Sequence, residues 1–206
     1  MELYFSPLAC SLASRITVYE AGAESDVALI KVDTKAQKTA DGADYRAINP
    51  KGMVPALRIA EGEILTENAA ILPFLADQFP AANLAPASGL ERSRLAQWLS
   101  FIGSELHKTV FTPLLSPKAN DGAKAYARDA APARLDHLDA HLAGRDHLLD
   151  RFTVADAYLT AVLNWAQFVG IDLKAWPNVA AYHARVTARP QVARALQEEM
   201  GLFQAA

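Results

Sequence analysis

The sequence predicts a chain in two parts: an α/β N-terminal part built on parallel strands, and an all-helical C-terminal part. Three observations carry this expectation. Between Leu3 and Val32, two short aliphatic runs flank a helically spaced one, giving strand, helix, strand, which suggests a βαβ unit. Phe79 to Ser88 (FPAANLAPAS) then holds two prolines and no hydrophobic periodicity, as an inter-domain linker does. Only helical signals follow it. With 206 residues, 51% of them hydrophobic, the chain can fill one large core or two small ones.

In order, Leu3, Tyr4 and Phe5 form the first strand, Ser6-Pro7 breaks it, and Leu12, Ile16 and Tyr19 recur at helical spacing. Cys10, the only cysteine, therefore sits at or beside a helix N-terminus. Unpaired N–H groups and the positive end of the helix dipole favour a thiolate there and can lower a cysteine pKa from ~8.5 to ~3.5–7.5. Two readings stand at this point: a nucleophile or thiolate anchor, or one of the many buried, inert cysteines. Ala13 occupies the place of the second thiol of a C-x-x-C motif, so disulfide chemistry at Cys10 needs an external thiol. A single cysteine also agrees with a reducing compartment.

Val27 to Val32 (VALIKV) reads as the second strand. Lys35 to Arg46 is polar and reads as an exposed loop with room for one short helix. Asn49-Pro50-Lys51-Gly52 is a turn, a strand follows Pro55, and Ala60-Glu61-Gly62 connects it to Glu63-Ile64-Leu65 as a hairpin. Thr66-Glu67-Asn68 opens a helix whose apolar body is Ala69 to Phe79, with Thr66 or Asn68 as cap. Pro73 should kink it or restrict it to a short first turn.

Gly89 to about Val110 forms a long helix. At 100° per residue, Leu95, Trp98, Leu99, Ile102, Leu106 and Val110 share one side, and Ser100, Ser104, His107 and Phe111 the other. The second stripe is either a wet face or, being nearly free of charge, the lining of a cleft. Ala123 to Leu142 is amphipathic; His137 and His141 lie one turn apart, but with no third ligand they read as a polar face rather than a metal site. Phe152-Thr153-Val154-Ala155-Asp156 places a capping threonine three residues before an acid. Because Asp156 is the only charge from Thr153 to Gly170, that segment reads as a central buried helix and its aspartate as structural. After Trp176-Pro177, Val179, Tyr182, Val186, Val192 and Leu196 cover the helices around it.

A net charge of −3 gives no broad attraction to nucleic acid or to an anionic membrane. Every apolar stretch is broken well before ~18 residues, and Met1-Glu2 begins the chain without a basic leader. The expectation is a cytoplasmic protein that binds neither.

The order of elements, β-α-β-α-β-β-α and then helices, resembles the cytosolic glutathione transferases, and most nearly their bacterial beta class. The stretches that carry the likeness are SPLACSLASR around Cys10, INPKGMVPAL at Ile48 to Leu57, LTENAAI at Leu65 to Ile71, SELHK at Ser104 to Lys108, and FTVADAYL at Phe152 to Leu159. The resemblance implies a thioredoxin-like domain over 1–80, a linker over 81–87 and a helical domain over 88–206. It further implies a glutathione site: the backbone of Val54 before a cis Pro55 pairing with the peptide of glutathione, Glu67 and Asn68 at its γ-glutamyl end, and Lys35 at its glycyl carboxylate. Ser100, Ser104, Glu105, His107 and Lys108 would border the site from the long helix, some of them reaching a neighbouring subunit's ligand in a homodimer. Asn68 is bulkier than the residue usual in the class, and Ser100 is shorter than the usual asparagine.

The function so implied is conjugation of the glutathione thiol to a small hydrophobic electrophile, with Cys10 and His107 as the catalytic residues polarising its sulfur, glutathione as co-substrate and no metal. Two alternatives accompany it. Cys10 could serve as the monothiol of a glutathione-dependent disulfide reductase or peroxidase, or the fold could be a non-catalytic glutathione carrier or partner protein.

Overall fold

The computed structural model describes residues 1–60 and 62–205; Glu61 of the expected connection and Ala206 of the expected helical domain lie outside the described residues. Five strands, β1 (Glu2–Phe5), β2 (Ala28–Asp33), β3 (Lys38–Thr39), β4 (Ala56–Arg58) and β5 (Ile64–Thr66), form one sheet in the order β3-β2-β1-β4-β5. Only β1 and β2 pair in parallel, with Leu3 opposite Leu29; the other pairs are antiparallel. Leu3, Tyr4 and Phe5 are all buried, which is why β1 reads as an unbroken apolar run rather than an alternation.

Helix α1 (Leu12–Glu20) makes the crossover between β1 and β2, and every residue from Leu12 to Tyr19 is buried, because the sheet lies on one side and later helices on the other. The second helix of the expected β-α-β-α order is absent; Lys35 to Arg46 instead contains β3 and a 3₁₀ turn at Tyr45–Ala47. Local bonds explain the difference. Asp33 Oδ1 accepts from the backbone N–H of Lys35 (2.8 Å) and Ala36 (2.9 Å), and Asp44 Oδ1 from that of Arg46 (3.0 Å), so side chains satisfy groups that a helix would have paired. Helix α2 (Asn68–Gln78) runs through Pro73 rather than ending in a short first turn; fully buried Ile71, Leu72 and Leu75 hold it from both sides of the proline.

The long helix is α3 (Gly89–Phe101), but it continues as a π-helix over Ile102–Phe111 before a last turn, α4 (Thr112–Leu115). Two threonines mark the wider turn: Thr109 Oγ1 donates to Ser104 O (2.8 Å) and Thr112 Oγ1 to His107 O (2.9 Å), each five residues back. The change of pitch corrects the α-helical projection at Phe111, which is fully buried against Trp165 at a ring-centroid distance of 5.9 Å instead of joining the polar stripe.

Helices α5 (Asp121–Leu142), α6 (Val154–Leu163), α7 (Ala166–Val169), α8 (Pro177–Thr187) and α9 (Pro190–Gln204) complete the chain. The all-apolar segment thus breaks at Asn164, with α6 buried along its whole length as the central helix. Asp156 holds its start: its carboxylate accepts the backbone N–H of Thr153 (2.8 Å) and Leu148 (3.0 Å) and the hydroxyls of Thr153 (3.0 Å) and Tyr182 (2.8 Å). One continuous core joins sheet, α1 and α2 to α3, α6 and the π-helix, so the strand-bearing and helical parts share their hydrophobic interior. His137 and His141 pack on the Trp98 ring, at 6.0 Å and 4.4 Å, and among the described residues no group of three or more His, Cys, Asp or Glu side chains is placed to hold a metal. No described helix is long and apolar enough to cross a membrane.

Candidate functional site

Two adjoining cavities open where the sheet meets the π-helix. The first, of about 380 Å³, is lined by Cys10, Val54, Glu67, Asn68, Ser104, His107 and Lys108, together with Lys51 and Tyr158. The second, of about 780 Å³, lies beyond Cys10, Met53, Val54 and His107, which line both.

Cys10 reaches this wall on a turn fixed from the helical part. Leu8 has φ 56°, a left-handed backbone that a leucine adopts only under constraint. Its N–H donates to buried Glu199 Oε2 (2.7 Å), and its carbonyl accepts from Trp165 Nε1 (2.7 Å). Both backbone groups of the strained residue are therefore held, from α9 and from the segment before α7. Two residues on, the Cys10 thiol donates to Val54 O (3.2 Å) across the cis Val54-Pro55 bond.

The thiolate expected from the helix N-terminus is not what this setting favours. Burial pushes the Cys10 thiol up to about 11, and the nearby Lys108 charge offsets only part of that. Val54 also departs from expectation, since its carbonyl is occupied by Cys10 rather than free. His107 is pushed down to about 4, first by burial and then by Lys108, so at neutral pH it is an uncharged imidazole. Its Nδ1 lies 2.8 Å from the Tyr158 hydroxyl, and its ring 4.9 Å from that of Trp165. The positive charge at the cavity comes from Lys51 and Lys108.

Glu67 precedes α2 with φ 72°, again a strained backbone for a residue with a side chain. Its carboxylate pairs with Lys51, whose Nζ also donates to Thr66 Oγ1 (2.9 Å), and this bond holds Glu67 below the usual carboxylate range. Asn68 lines the cavity with a side chain that is held in place: Nδ2 donates to Cys10 O (3.0 Å), and Oδ1 accepts from Ser14 Oγ (3.3 Å). It ties α2 to the start of α1. The first turn of α2 also has backbone N–H groups without helical partners, beside Glu67, Asn68 and Ala69, which line the cavity.

A family model for the glutathione S-transferase N-terminal domain matches residues 9–78, and one for the glutathione S-transferase C-terminal domain matches 104–190. Glutathione S-transferase GstA of Escherichia coli O157:H7 is 41% identical over 201 residues, covering 97% of this chain and 98% of that one. The chain belongs to the glutathione S-transferase family. Among solved structures, a sphingomonad glutathione S-transferase complexed with glutathione superposes with a TM-score of 0.91 at 49% identity, covering 97% of this chain and 98% of that one. The bacterial beta class glutathione S-transferase of Sphingomonas chungbukensis gives 0.91 at 47% identity, with the same coverage.

In this glutathione S-transferase the residues expected from sequence divide into two groups. Cys10, Val54, Glu67, Asn68, Ser104, His107 and Lys108 converge on the first cavity, whereas Lys35, Ser100 and Glu105 do not line it. Lys35 is exposed on the loop after β2; Ser100 is exposed and accepts the Ser104 hydroxyl on its carbonyl (2.9 Å); Glu105 pairs with Arg134 of α5 (2.7 Å). Lys51 and Tyr158 were missed. Lys51 was legible only as part of a turn, though a cation at the tip of that turn was a signal. Tyr158 lay in an apolar helix, where a phenol needs a polar partner and so points to one.

Proposed function

We propose that this transferase seats glutathione in the first cavity and delivers its sulfur to an uncharged, apolar electrophile in the second. The carrying observation is that Cys10, Met53, Val54 and His107 line both cavities, so a sulfur resting at Cys10 faces the larger one directly. Glu67 meets the ligand ammonium, and the N–H groups opening α2 take its γ-glutamyl carboxylate. The backbone of Val54 pairs with the peptide, displacing the Cys10 thiol from its carbonyl. Freed, that thiol donates to the glutathione sulfur, and Lys108 adds a positive field.

Glutathione loses its thiol proton to solvent. The sulfur lone pair then forms the carbon–sulfur bond, and the electrophile's leaving group departs with its bonding electrons. Neutral His107, oriented by Tyr158, can supply an N–H to the sulfur but no charge. Lys35, next to Thr34 at the rim of the second cavity, is retained as partner of the glycyl carboxylate. Ser104 borders the first cavity, and Ser100 and Glu105, which lie outside it, are assigned with Ser104 to the border that a second subunit completes in a homodimer. We place the domain division at 1–80 and 88–206, with 81–87 between, and the working compartment in the reducing cytoplasm.

Conjugation of 1-chloro-2,4-dinitrobenzene, measured on native protein and on Cys10→Ala, tests this. Activity that survives in the variant is expected, since the nucleophile is the sulfur of glutathione. Loss of conjugation in the variant, together with Cys10-dependent reduction of hydroxyethyl disulfide, would replace this reading with a monothiol oxidoreductase.

A further inference from the structure

The distribution of exposed apolar side chains carries an inference about which electrophiles the second cavity takes. Six large hydrophobic residues are exposed among the described ones, and four of them, Met53, Leu115, Phe168 and Phe203, line this single cavity. Scattered exposed hydrophobics need no explanation, but their concentration on one concave surface marks a binding site. Phe168 comes from α7 and Phe203 from the end of α9, 45% and 52% exposed, with ring centroids 6.1 Å apart and planes inclined at 42°. Neither ring is needed to fill the core. The buried Trp165 indole, Cys10 and His107 line the same cavity.

We infer that Phe168 and Phe203 form an aromatic jaw that selects planar, uncharged aromatic electrophiles over acyclic ones of similar reactivity. The inference rests on the conjugation proposed above and names the substrate class of that same site. Aromatic rings gain from edge and offset contacts at centroid distances of about 4.5–7 Å, which a chain of methylenes does not reproduce. The cavity has no charged side chain among its lining residues, so an ionised electrophile would lose its hydration without an ion partner. For an aryl halide the reaction balances without any further reagent. The thiolate lone pair forms a bond to the ring carbon bearing the halogen, and the carbon–halogen bond breaks to release halide with its electron pair.

The test compares kcat/KM for 1-chloro-2,4-dinitrobenzene with that for (E)-2-hexenal, in native protein, Phe168→Ala, Phe203→Ala and Phe203→Leu. The expected result is a fall of about three- to tenfold in the aromatic-to-acyclic ratio for each alanine variant, and a similar fall for leucine, which restores bulk but not a ring. Tyr126→Ala, an exposed aromatic lining neither cavity, leaves the ratio at its native value. An unchanged ratio in the phenylalanine variants overturns the jaw, as does full rescue by leucine. Binding of S-(2,4-dinitrophenyl)glutathione and S-hexylglutathione, by calorimetry, separates the two claims. If native protein binds neither, the glutathione reading fails and the jaw with it; if it binds both and the variants weaken them equally, only the jaw fails.

Discussion

The thiol of Cys10 and the carbonyl oxygen of Val54 stand 3.2 Å apart, with sulfur donating. Sequence position suggests a thiolate at a helix start; the structure sets Cys10 in the wall shared by two cavities and gives its proton an acceptor. A helix terminus favours an anion by at most about 2 kcal/mol, whereas removing a thiolate from water costs more than that unless a partner replaces the water. Burial therefore prevails.

Cys10 should consequently react slowly with iodoacetamide. With its thiol near 11 rather than near 9, the thiolate fraction at pH 7.5 is roughly a hundredfold below that of a free cysteine, and the rate should follow. A raised folded-state value means that the native protein holds its proton more tightly than the unfolded chain. This contribution to stability is fully present below pH 9 and is lost as pH rises toward 11. Lys108→Ala should slow alkylation further, because its charge is the largest influence opposing burial. Alkylation at the rate of free cysteine would contradict both.

Glu67 stands at φ 72°, a backbone that costs energy for a residue with a side chain, and it lines the first cavity. Glu67→Gly should raise stability by about 1 kcal/mol, since glycine relieves the backbone and the exposed Lys51 pair contributes little. The same variant should raise the KM for glutathione by roughly tenfold. Thermal melting and steady-state kinetics on one preparation give both readings.

His107 makes stability depend on acid. Its folded-state value of about 4 lies below the 6.5 of the unfolded chain, so the unfolded state takes up a proton first as pH falls. Stability is held above pH 6.5 and lost down to about pH 4, by on the order of 3 kcal/mol. In His107→Gln the melting temperature should fall less between pH 7.5 and 4.5 than in native protein.

Asp156 accepts four hydrogen bonds that start the central helix. Asp156→Ala strands two backbone N–H groups and the buried Tyr182 hydroxyl, and should cost about 3 kcal/mol or more. Asp156→Asn, which keeps one acceptor oxygen, should cost less. Urea titrations of the three proteins order them.

Strands β1 and β2, α1, the β4-β5 hairpin and the buried central helix were legible because each depends on a local pattern of apolar spacing, turn residues and caps. The Thr153 to Asp156 capping box is an example, since its partners lie three residues apart and need nothing distant to form. The polar segment after β2 and the π-helix were not legible. In the first, Asp33 and Asp44 bond to nearby backbone and displace a helix; in the second, a widened turn moves Phe111 from the cleft stripe into the core. Asn68 shows the same limit within the site, since its bonds to Cys10 O and Ser14 Oγ join segments more than fifty residues apart.

By itself, the sequence determined where β1, β2, β4, β5 and the buried central helix form and that Cys10 lies beside the start of α1. Tertiary structure decided the state of that thiol, the neutrality of His107, the arrival of Lys51 and Tyr158, and the gathering of Phe168 and Phe203 at one opening. The division has a physical cause. Propensity and periodicity act over a few residues, whereas desolvation and side-chain convergence depend on segments as far apart as Leu8 and Glu199, brought together only when the chain has packed.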